Sequence, residues 1–411
     1  MARLLFVTSR LPYPPREGHQ LRSWNLLRAA ARDHQVDLLS LQRPEDAAEP
    51  DPVLRALVAS VHCVPLSSVR DPRAALQMLG RWVGKGHSLL SARYLSDALQ
   101  QRFRELVTRA DLVHLDILAV AGLIRCTPSR VPVVLNEHNV EHQLLHARAQ
   151  IESRAWRRVL LRLQARELER FEKAACVAAA QVLACSQPDA QRLAELAPKT
   201  PVTAIPNGVD LSQFQPRQLS GPNSPTLVFV GQMSWFPNRD GIEYFLSEIL
   251  PLIRKRHPAH LKVIGQRGGM QAPPALEAAV EFTGFIDDLR PPVLDAAVYV
   301  VPLRAGSGTR LKILEAMAMG KAIVSTRIGA EGIALVDGED ALLADTPEAF
   351  SAAVCRLFED PELRERLGRA ARLKAEREYG WEAIGDRLLE VYAKVLAGKK
   401  KIGANDETYS T

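Results

Sequence analysis

Glycine, hydroxyl and cationic residues cluster in the segment that begins at Val300, VVPLRAGSGTRLKILEAMAMGKAIVST. A buried strand is predicted to end at Leu303, a loop covers 305–309, and a helix begins near Leu311. A strand, a glycine-containing loop and a helix in this order point backbone N–H groups and the positive helix end at an anion. The spacing therefore predicts a loop that binds pyrophosphate.

The side chains of this loop and of the first helical turns suit the same ligand. They are Ser307, Gly308, Thr309, Arg310, Lys312 and Glu315. A hydroxyl at Ser307 or Thr309 can cap the helix, and the two cations add charged donors near its first turn. A carboxylate at Glu315 can accept hydrogen bonds from the vicinal hydroxyls of a ribose. The alternative is a structural turn with a capped helix and no ligand.

Two segments of the N-terminal half carry further polar candidates. His138 follows the apolar run VPVVLNE and is flanked by Glu137 and Glu141, while Gly18 stands in PPREGHQLRSWN with Arg22 one turn later. Only glycine lets the backbone approach a ligand very closely. A buried, satisfied histidine, a helix-capping glutamate and a plain turn are the respective alternatives.

Short β-branched apolar runs alternate with helical stretches and so position these residues. In the first half the runs begin at residues 3, 36, 112, 131, 182 and 202, and in the second half at 226, 261, 280, 297, 321 and 341. Runs that are apolar on both faces are typical of buried parallel strands with helical crossovers. The pattern predicts the α/β class, with two doubly wound parallel-sheet domains of the Rossmann type.

The linker with the most turn-forming residues is QPRQLSGPNSP at 215–225. We predict an N-terminal domain over 1–205, a linker over 206–225 and a C-terminal domain over 226–379. A helix over 380–396 is expected to pack back on the N-terminal domain, and 397–411 to form a disordered tail.

Composition is that of an ordinary globular protein, with 411 residues, 47% hydrophobic and 24% charged, and a net charge of +6. The five cysteines lie in apolar stretches without CxxC spacing, which favours reduced core thiols. No apolar run is long enough to span a membrane or to form a signal-peptide core. We expect a cytoplasmic protein.

The net positive charge lies in the first 200 residues, and the stretch 148–173 combines seven arginines with Trp156 and several leucines. A long amphipathic helix packed on its own domain is one interpretation; a helix on a membrane surface is the other. Residues 70–104 are also basic and contain Trp82. Attachment to the inner face of the plasma membrane therefore stays open, and no pattern indicates nucleic-acid binding.

Four segments together resemble the family-4 retaining glycosyltransferases, which have the GT-B fold. They are the segment from Val300, IPNGVDLSQF from Ile205, LNEHNVE from Leu135, and YGWEAIGDRLLEVY from Tyr379. They occur in the family's order and span essentially the whole chain.

The resemblance implies an active site in a cleft between two domains. The C-terminal domain would hold a UDP- or GDP-sugar as substrate, with Gly231 and Arg239 beside the predicted pyrophosphate loop. The N-terminal domain would bind a saccharide or lipid-linked acceptor through Glu137, Glu141 and Arg22. His138 would lie near the sugar, and Gly18 near the diphosphate or the acceptor.

The sequence departs from the family pattern at two places. Ser307 replaces the first of two glutamates, of which Glu315 is the second, and Gln232 and Asn238 replace an arginine and a lysine that contact the diphosphate. We expect Arg310, Lys312 and Arg239 to supply the missing positive charge.

The resemblance further implies transfer with retention of configuration, without a metal ion or another cofactor. No DxD-type metal motif is convincing, and Asp287–Asp288 fits a surface turn. Two other functions stay open at this point. They are a nucleotide-sugar epimerase of the same fold and a non-catalytic protein that binds nucleotide sugars, the latter because the first glutamate is lost.

Overall fold

The computed structural model of the chain describes residues 1–15, 17–43, 46, 49–66, 76, 78, 80, 88–152, 154–217, 224–305 and 310–407. The chain divides into two compact units. Unit 1 comprises Met1–Pro206 and Gly385–Thr411, and unit 2 comprises Asn207–Ile384. The boundary predicted from the sequence lies between residues 205 and 206, and the helix over 380–396 was predicted to pack back on the N-terminal domain.

Unit 1 is built on a seven-stranded sheet in the order β3-β2-β1-β4-β5-β6-β7, and every pair of neighbours is parallel. The strands are β1 (Arg3–Thr8), β2 (Gln35–Gln42), β3 (Ser60–Pro65), β4 (Leu112–Leu115), β5 (Val133–Glu137), β6 (Gln181–Ala184) and β7 (Val202–Ala204). The central strands are buried along nearly their whole length. Continuous apolar runs such as these need cover on both faces of the sheet, which the crossover helices provide.

One strand of this sheet, β3, was not predicted. Its sequence SVHCVP places His62 in the middle of the run, and only Val64 is fully buried. It lies at the edge of the sheet and pairs with β2 alone. An edge strand is half-exposed, so it lacks the continuous apolar run by which the other strands were recognised.

Along the chain, the helices of unit 1 occur in the segments that connect these strands. They are α1 (Gly18–Asp33), α2 (Pro52–Leu57), α3 (Leu89–Tyr94), α4 (Asp97–Val107), a 3₁₀ helix (Leu118–Cys126), α5 (Glu141–Ile151), α6 (Ala155–Ala178) and α7 (Gln187–Leu196). Serine side chains fix several of their starts, as Ser96 does by accepting from the Leu99 N–H at 3.1 Å. The stretch 148–173, predicted as one helical pattern, is divided between α5 and α6, because Glu152 has extended backbone.

Unit 2 is built on a six-stranded sheet in the order β10-β9-β8-β11-β12-β13, also parallel throughout. The strands are β8 (Thr226–Val230), β9 (His260–Ile264), β10 (Val280–Gly284), β11 (Val298–Val301), β12 (Ile323–Ser325) and β13 (Leu342–Leu343). All six correspond to runs predicted from the sequence. The predicted fold class, α/β with two doubly wound parallel sheets, is confirmed.

Helices cover this second sheet as well. They are α8 (Phe236–Tyr244), a π-helical turn (Phe245–Ile249), α9 (Leu250–Arg254), a 3₁₀ helix (Pro274–Ala279), α10 (Arg290–Asp295), α11 (Leu311–Ala318), α12 (Pro347–Glu359), α13 (Pro361–Lys374) and a second π-helical turn (Ala375–Tyr379). Thr346 caps α12 and Asp360 caps α13, and each of these two helices begins with a proline.

The last helix, α14 (Trp381–Glu407), continues past the end that was predicted for it. The sequence predicts that this helix ends at residue 396 and that a disordered tail follows over 397–411. The structure instead describes helix through Glu407. The polar composition suggested disorder, but residues 397–407 contain no proline to break the helical hydrogen bonds.

A glycine in α13 permits a close contact between two backbone segments of unit 2. A Cβ at Gly368 would lie 2.1 Å from the carbonyl oxygen of Gly320, a residue with φ of +66° just after α11. We predict that Gly368→Ala lowers the free energy of unfolding by about 1–3 kcal/mol, because the two backbones must separate. The midpoint of urea denaturation measures this.

Gly398→Ala is the matched control, because Gly398 is also helical but no atom of the described residues lies within 4 Å of the place that a Cβ would take. That variant should be neutral or slightly stabilising, since alanine favours helix over glycine. Equal midpoints for the two variants would contradict the close packing inferred at Gly368.

Candidate functional site

In unit 1, polar residues follow directly after two neighbouring central strands. Asp116 comes just after β4, and His138 just after β5. In a parallel sheet the carboxyl ends of the strands share one edge, which is where ligands bind in folds of this class. The helix α1 begins at Gly18, after β1, and Gly18 itself is exposed. This edge is the candidate site of unit 1.

A buried carboxylate, Asp116, is the centre of a hydrogen-bond network at this edge. Asn136 donates its Nδ2 to Asp116 Oδ1 at 2.7 Å, and Ser23 donates its hydroxyl to the other oxygen. His138 Nε2 lies 3.3 Å from Oδ1. Burial acts to raise the pKa of Asp116, but the neighbouring imidazoles of His138 and His114 outweigh it and lower the pKa below its usual range.

A second histidine lies beneath this network. His114 is fully buried and stacks on Phe6 with 4.1 Å between the ring centroids. Its Nδ1 is 2.8 Å from the hydroxyl of Tyr392, a residue of α14, and its Nε2 is 3.5 Å from Asp116 Oδ1. Burial lowers the pKa of His114, which favours a neutral ring. The contacts suit a ring that keeps its proton on Nε2, toward Asp116, and accepts the tyrosine hydroxyl.

Arg22, predicted to contact an acceptor, is buried within unit 1. Its guanidinium donates to Asn136 Oδ1 at 2.8 Å and to the carbonyl oxygen of Pro206 at 3.1 Å. Arg22 thus extends the Asp116 network through Asn136. Its role in acceptor binding stays a prediction.

Glu137 and Glu141 belong to a separate buried acidic cluster with Glu172 of α6. Glu172 accepts from the backbone N–H of Glu141 at 2.8 Å and also bonds His142 Nδ1, and so caps α5. Burial, reinforced by the charge of Glu172, raises the pKa of Glu137 well above its usual value and that of Glu141 to about 7. Both predicted acceptor residues therefore lie against α6, and their binding role stays a prediction.

In unit 2, a lysine at the start of α11 reaches the first turn of α8, the helix that follows β8. Lys312 donates its Nζ to Asn238 Oδ1 at 2.6 Å, and the ammonium lies 4.2 Å from the centroid of the Phe229 ring. Asn238 donates in turn to the carbonyl oxygen of Gln232 at 2.9 Å. Asn238 stands where the resemblance implies a lysine, and it binds another lysine, Lys312, at the first turn of α8.

Two further ionisable groups lie close to Lys312 and share its surroundings. Burial, together with the charge of Arg310, lowers the pKa of Lys312 to about 7. Burial raises the pKa of Glu315 to about 7 although Lys312 opposes the change. Arg310 is itself buried, with its guanidinium 5.7 Å from the centroid of the Trp235 ring. The structure thus brings the three predicted residues Arg310, Lys312 and Glu315 together.

The loops after β8 and β9 pack so closely that each contains a glycine with no room for a side chain. A Cβ at Gly231 would lie 2.6 Å from Asn238 Nδ2, and one at Gly265 would lie 2.2 Å from the Gly231 carbonyl oxygen. Arg239 donates to the backbone carbonyls of Met233 and Gly268 and so ties the two loops together. Its proposed contact with a diphosphate stays a prediction.

The predicted pyrophosphate loop itself falls outside the described residues. Ser307, Gly308 and Thr309 all lie in the gap 306–309. The same holds for Trp82 and for the other residues of 81–87, and for 70–75, 77 and 79, in the basic stretch that begins at residue 70.

Several residues of these clusters were not predicted from the sequence. They are Asp116, His114, Asn136 and Glu172. The signal for Asp116 was present, because it ends the run LVHLD and a polar residue at the carboxyl end of a parallel strand points to a site. Glu172 lies within a long helical run, where the sequence gives no such signal.

The described ranges contain neither a metal site nor a membrane span. Within them, no group of three or more His, Cys, Asp or Glu residues has an arrangement that could hold a metal ion. No helix in this part of the chain has the length and apolar character needed to cross a bilayer.

Two family models match the chain. Residues 17–213 match the model described as Glycosyltransferase Family 4, and residues 224–360 match the model described as Glycosyl transferases group 1. The two matches follow each other along the chain; the first covers β2 to β7, and the second covers β8 to β13.

The curated relatives that the chain matches carry the names of glycosyltransferases. The chain is 29% identical over 219 residues to D-inositol 3-phosphate glycosyltransferase of Segniliparus rotundus, covering 48% of each protein. It is 30% identical over 217 residues to phosphatidyl-myo-inositol mannosyltransferase of Mycobacterium tuberculosis, covering 48% of this chain and 55% of that protein. The chain spans about half the length of the curated relatives it matches.

Solved structures share the fold at low identity. Sucrose-phosphate synthase from Thermosynechococcus elongatus aligns with a TM-score of 0.66 and 19% identity, over 97% of this chain and 100% of that one. Anabaena HepE in complex with UDP and glucose aligns with a TM-score of 0.61 and 14% identity, over 96% and 100%. These similarities establish the fold.

The Asp116 network yields a stability prediction. Asp116→Asn should lower the free energy of unfolding of unit 1 by about 2–4 kcal/mol at neutral pH, because Ser23 and Asn136 lose a buried carboxylate acceptor. Folding lowers the pKa of Asp116 below its value in the unfolded chain, which is about 3.9. The native protein should therefore be more stable than Asp116→Asn at pH values above about 3.9, and this difference in the free energy of unfolding should shrink as the pH falls below that value.

The measurement is urea denaturation of the native protein and of Asp116→Asn, from neutral pH down to pH values below the pKa of an unfolded aspartate. Asp33→Asn on α1 is the control, because the side chain of Asp33 is 53% exposed. Two variants of equal stability would mean that the Asp116 carboxylate contributes nothing to the fold.

Proposed function

Because the chain belongs to the family-4 glycosyltransferases, we propose that it transfers a sugar from a UDP- or GDP-sugar to a saccharide or lipid-linked acceptor. We assign the donor to unit 2 and the acceptor to unit 1. The setting we propose is the synthesis of cell-surface polysaccharide or glycolipid. The observation that carries the donor assignment is the cluster of Lys312, Asn238 and Glu315 at the start of α11.

Breaking the bond between a sugar and a nucleoside diphosphate places negative charge on the leaving phosphate. The Lys312 ammonium and the Arg310 guanidinium, both close to the start of α11, are suited to stabilise that charge. Positively charged side chains then do the work for which other transferases use a metal ion. A carboxylate at Glu315 can accept from the ribose hydroxyls of the donor.

The stereochemical outcome we propose is retention. The bond from the anomeric carbon to the phosphate oxygen breaks, and the acceptor oxygen attacks from the same face. The leaving phosphate accepts the proton of the acceptor hydroxyl. His138, held 3.3 Å from the Asp116 carboxylate, has a fixed ring and would position the donor sugar without acting as a nucleophile.

The first acceptors to test follow from the names of the curated relatives, which contain inositol 3-phosphate and phosphatidylinositol. Each should be incubated with a panel of UDP- and GDP-sugars, and the product linkage read by NMR. An α-linked product from an α-linked donor would support retention, and an inverted product would exclude it. A new sugar isomer formed from the donor alone would indicate an epimerase instead.

Lys312→Ala tests the donor site. We predict a loss of donor affinity of about tenfold to a hundredfold, the value of a charge-assisted hydrogen bond to phosphate. Isothermal titration with the nucleotide sugar measures it. The control is Lys262→Ala on β9, whose ammonium lies 3.8 Å from Glu281. Unchanged affinity in Lys312→Ala would remove Lys312 from the donor site.

The pH dependence of donor binding tests the same ammonium. Its pKa is about 7 in the free protein, and a diphosphate binds the protonated form. Affinity should therefore be greatest below pH 7 and fall by up to about tenfold per pH unit above it, until the raised pKa of the complex is reached. A nucleotide sugar is the right probe, because its diphosphate has no titration near neutral pH.

Two variants separate the groups that titrate in this range. Lys312→Arg keeps its charge and should flatten the fall in affinity. Deprotonation of Glu315 favours ribose binding, so it raises donor affinity as the pH rises and opposes the effect of Lys312. Glu315→Gln removes this carboxyl and should make the fall in affinity steeper. A pH profile for Lys312→Arg that matches the native protein would contradict the assignment.

A further inference from the structure

The two ends of α6 are packed differently. From Ala165 to Cys176 the helix buries a continuous face that includes Leu168, Phe171 and Glu172. Before Ala165 no residue of α6, all of which the structure describes, is buried. The first turns of the helix therefore extend along the surface of unit 1, where a helix of a soluble protein normally presents polar side chains.

That surface is apolar instead. Trp156, Val159, Leu160 and Leu163 are 64%, 55%, 48% and 56% exposed. Their spacing of i, i+3, i+4 and i+7 places them on one stripe of the helix. Leu163 and Ala165 are two residues apart, or about 200° around the axis, so the exposed stripe lies opposite the buried face. Single exposed leucines are ordinary, but a stripe of four large side chains marks an interaction surface.

Arginines flank the stripe and determine which partner it fits. Arg154, Arg157, Arg162, Arg166 and Arg170 are all exposed, and within the described residues α6 has no acidic side chain on the stripe itself before Glu167. The Arg157 guanidinium lies 5.1 Å from the centroid of the Trp156 ring. A tryptophan and leucines bordered by cations suit the boundary between lipid acyl chains and anionic head groups.

We infer that the N-terminal half of α6 docks unit 1 on an anionic lipid surface. The stripe from Trp156 to Leu163 would enter the head-group region, and the flanking arginines would bind lipid phosphates. Charge complementarity favours this partner over the chain's own segment 67–87, because that segment is also basic and like charges would repel.

The inference goes beyond the proposed function, since it concerns where the enzyme works and does not depend on the donor chemistry. A surface that lies on lipid would give unit 1 direct access to lipid-linked acceptors. Vesicle binding and donor binding are measured separately, so either assignment can fail while the other stands.

Flotation with vesicles is the test. The full chain should bind vesicles of phosphatidylcholine with phosphatidylglycerol, and bind phosphatidylcholine alone at least about tenfold more weakly, since each arginine near an anionic surface adds to the affinity. The triple variant Trp156→Ser, Leu160→Ser, Leu163→Ser should lose at least about tenfold in binding to anionic vesicles. Arg162→Glu with Arg166→Glu should reduce binding to a similar extent and make it less sensitive to salt.

Matched controls are available on α13. Leu373 is 58% exposed and Arg369 is also exposed, so Leu373→Ser and Arg369→Glu make the same changes on unit 2 and should bind as the native protein does. Val177→Ser is a control on α6 itself, beyond the buried face. Circular dichroism and donor titration show that each variant is folded.

Three results would overturn the inference. One is native protein that does not float with anionic vesicles, or that binds neutral and anionic vesicles equally. Another is a native dimer that becomes a monomer in the triple variant, which would assign the stripe to a second copy of the chain. The third is a triple variant with lower thermal stability in the absence of lipid, which would mean that the stripe packs on the chain itself.

Discussion

A charge withdrawn from water must be balanced by the groups around it, and this constraint organises both units. In unit 1 the buried Asp116 carboxylate accepts from Asn136 and Ser23 and draws His138 to within 3.3 Å. Arg22 joins through Asn136. Loops and helix starts from distant parts of the sequence are thereby fixed around one carboxylate. A ligand would meet a rigid surface whose polar groups are already oriented.

The sequence was sufficient for every strand except the edge strand β3, but not for the directions of polar side chains. Runs such as TLVFVGQ and AVYVVPL are apolar throughout, so burial and parallel pairing follow from composition alone. Glu137 shows the limit, because adjacent residues at a strand end point to opposite faces. His138 faces Asp116 while Glu137 lies with Glu172 on α6, and only the packing of α6 decides this. Arg239 likewise looked free to bind a phosphate, yet it holds two backbone carbonyls.

The helix α6 combines both kinds of surface within one element. Its second half buries Glu172, which caps α5 and brings acidic side chains together behind β5. Its first half carries the exposed stripe from Trp156 to Leu163. The sequence pattern of 148–173 could not separate the two, because arginines occur along the whole stretch and both faces contain leucine. The burial of the individual residues divides the helix at Ala165.

The replacement of a cation by Asn238 is best understood as a change in where the cation comes from. The Asn238 Oδ1 atom accepts from Lys312, so an ammonium still lies at the first turn of α8, although it is supplied by α11. A lysine at both positions would place two cations in contact, and each would lower the pKa of the other. With asparagine at 238, one ammonium is held by a neutral acceptor and by the Phe229 ring. Because the pKa of Lys312 is about 7, this ammonium loses its proton easily near neutral pH. The negative charge of an incoming diphosphate would stabilise the protonated form.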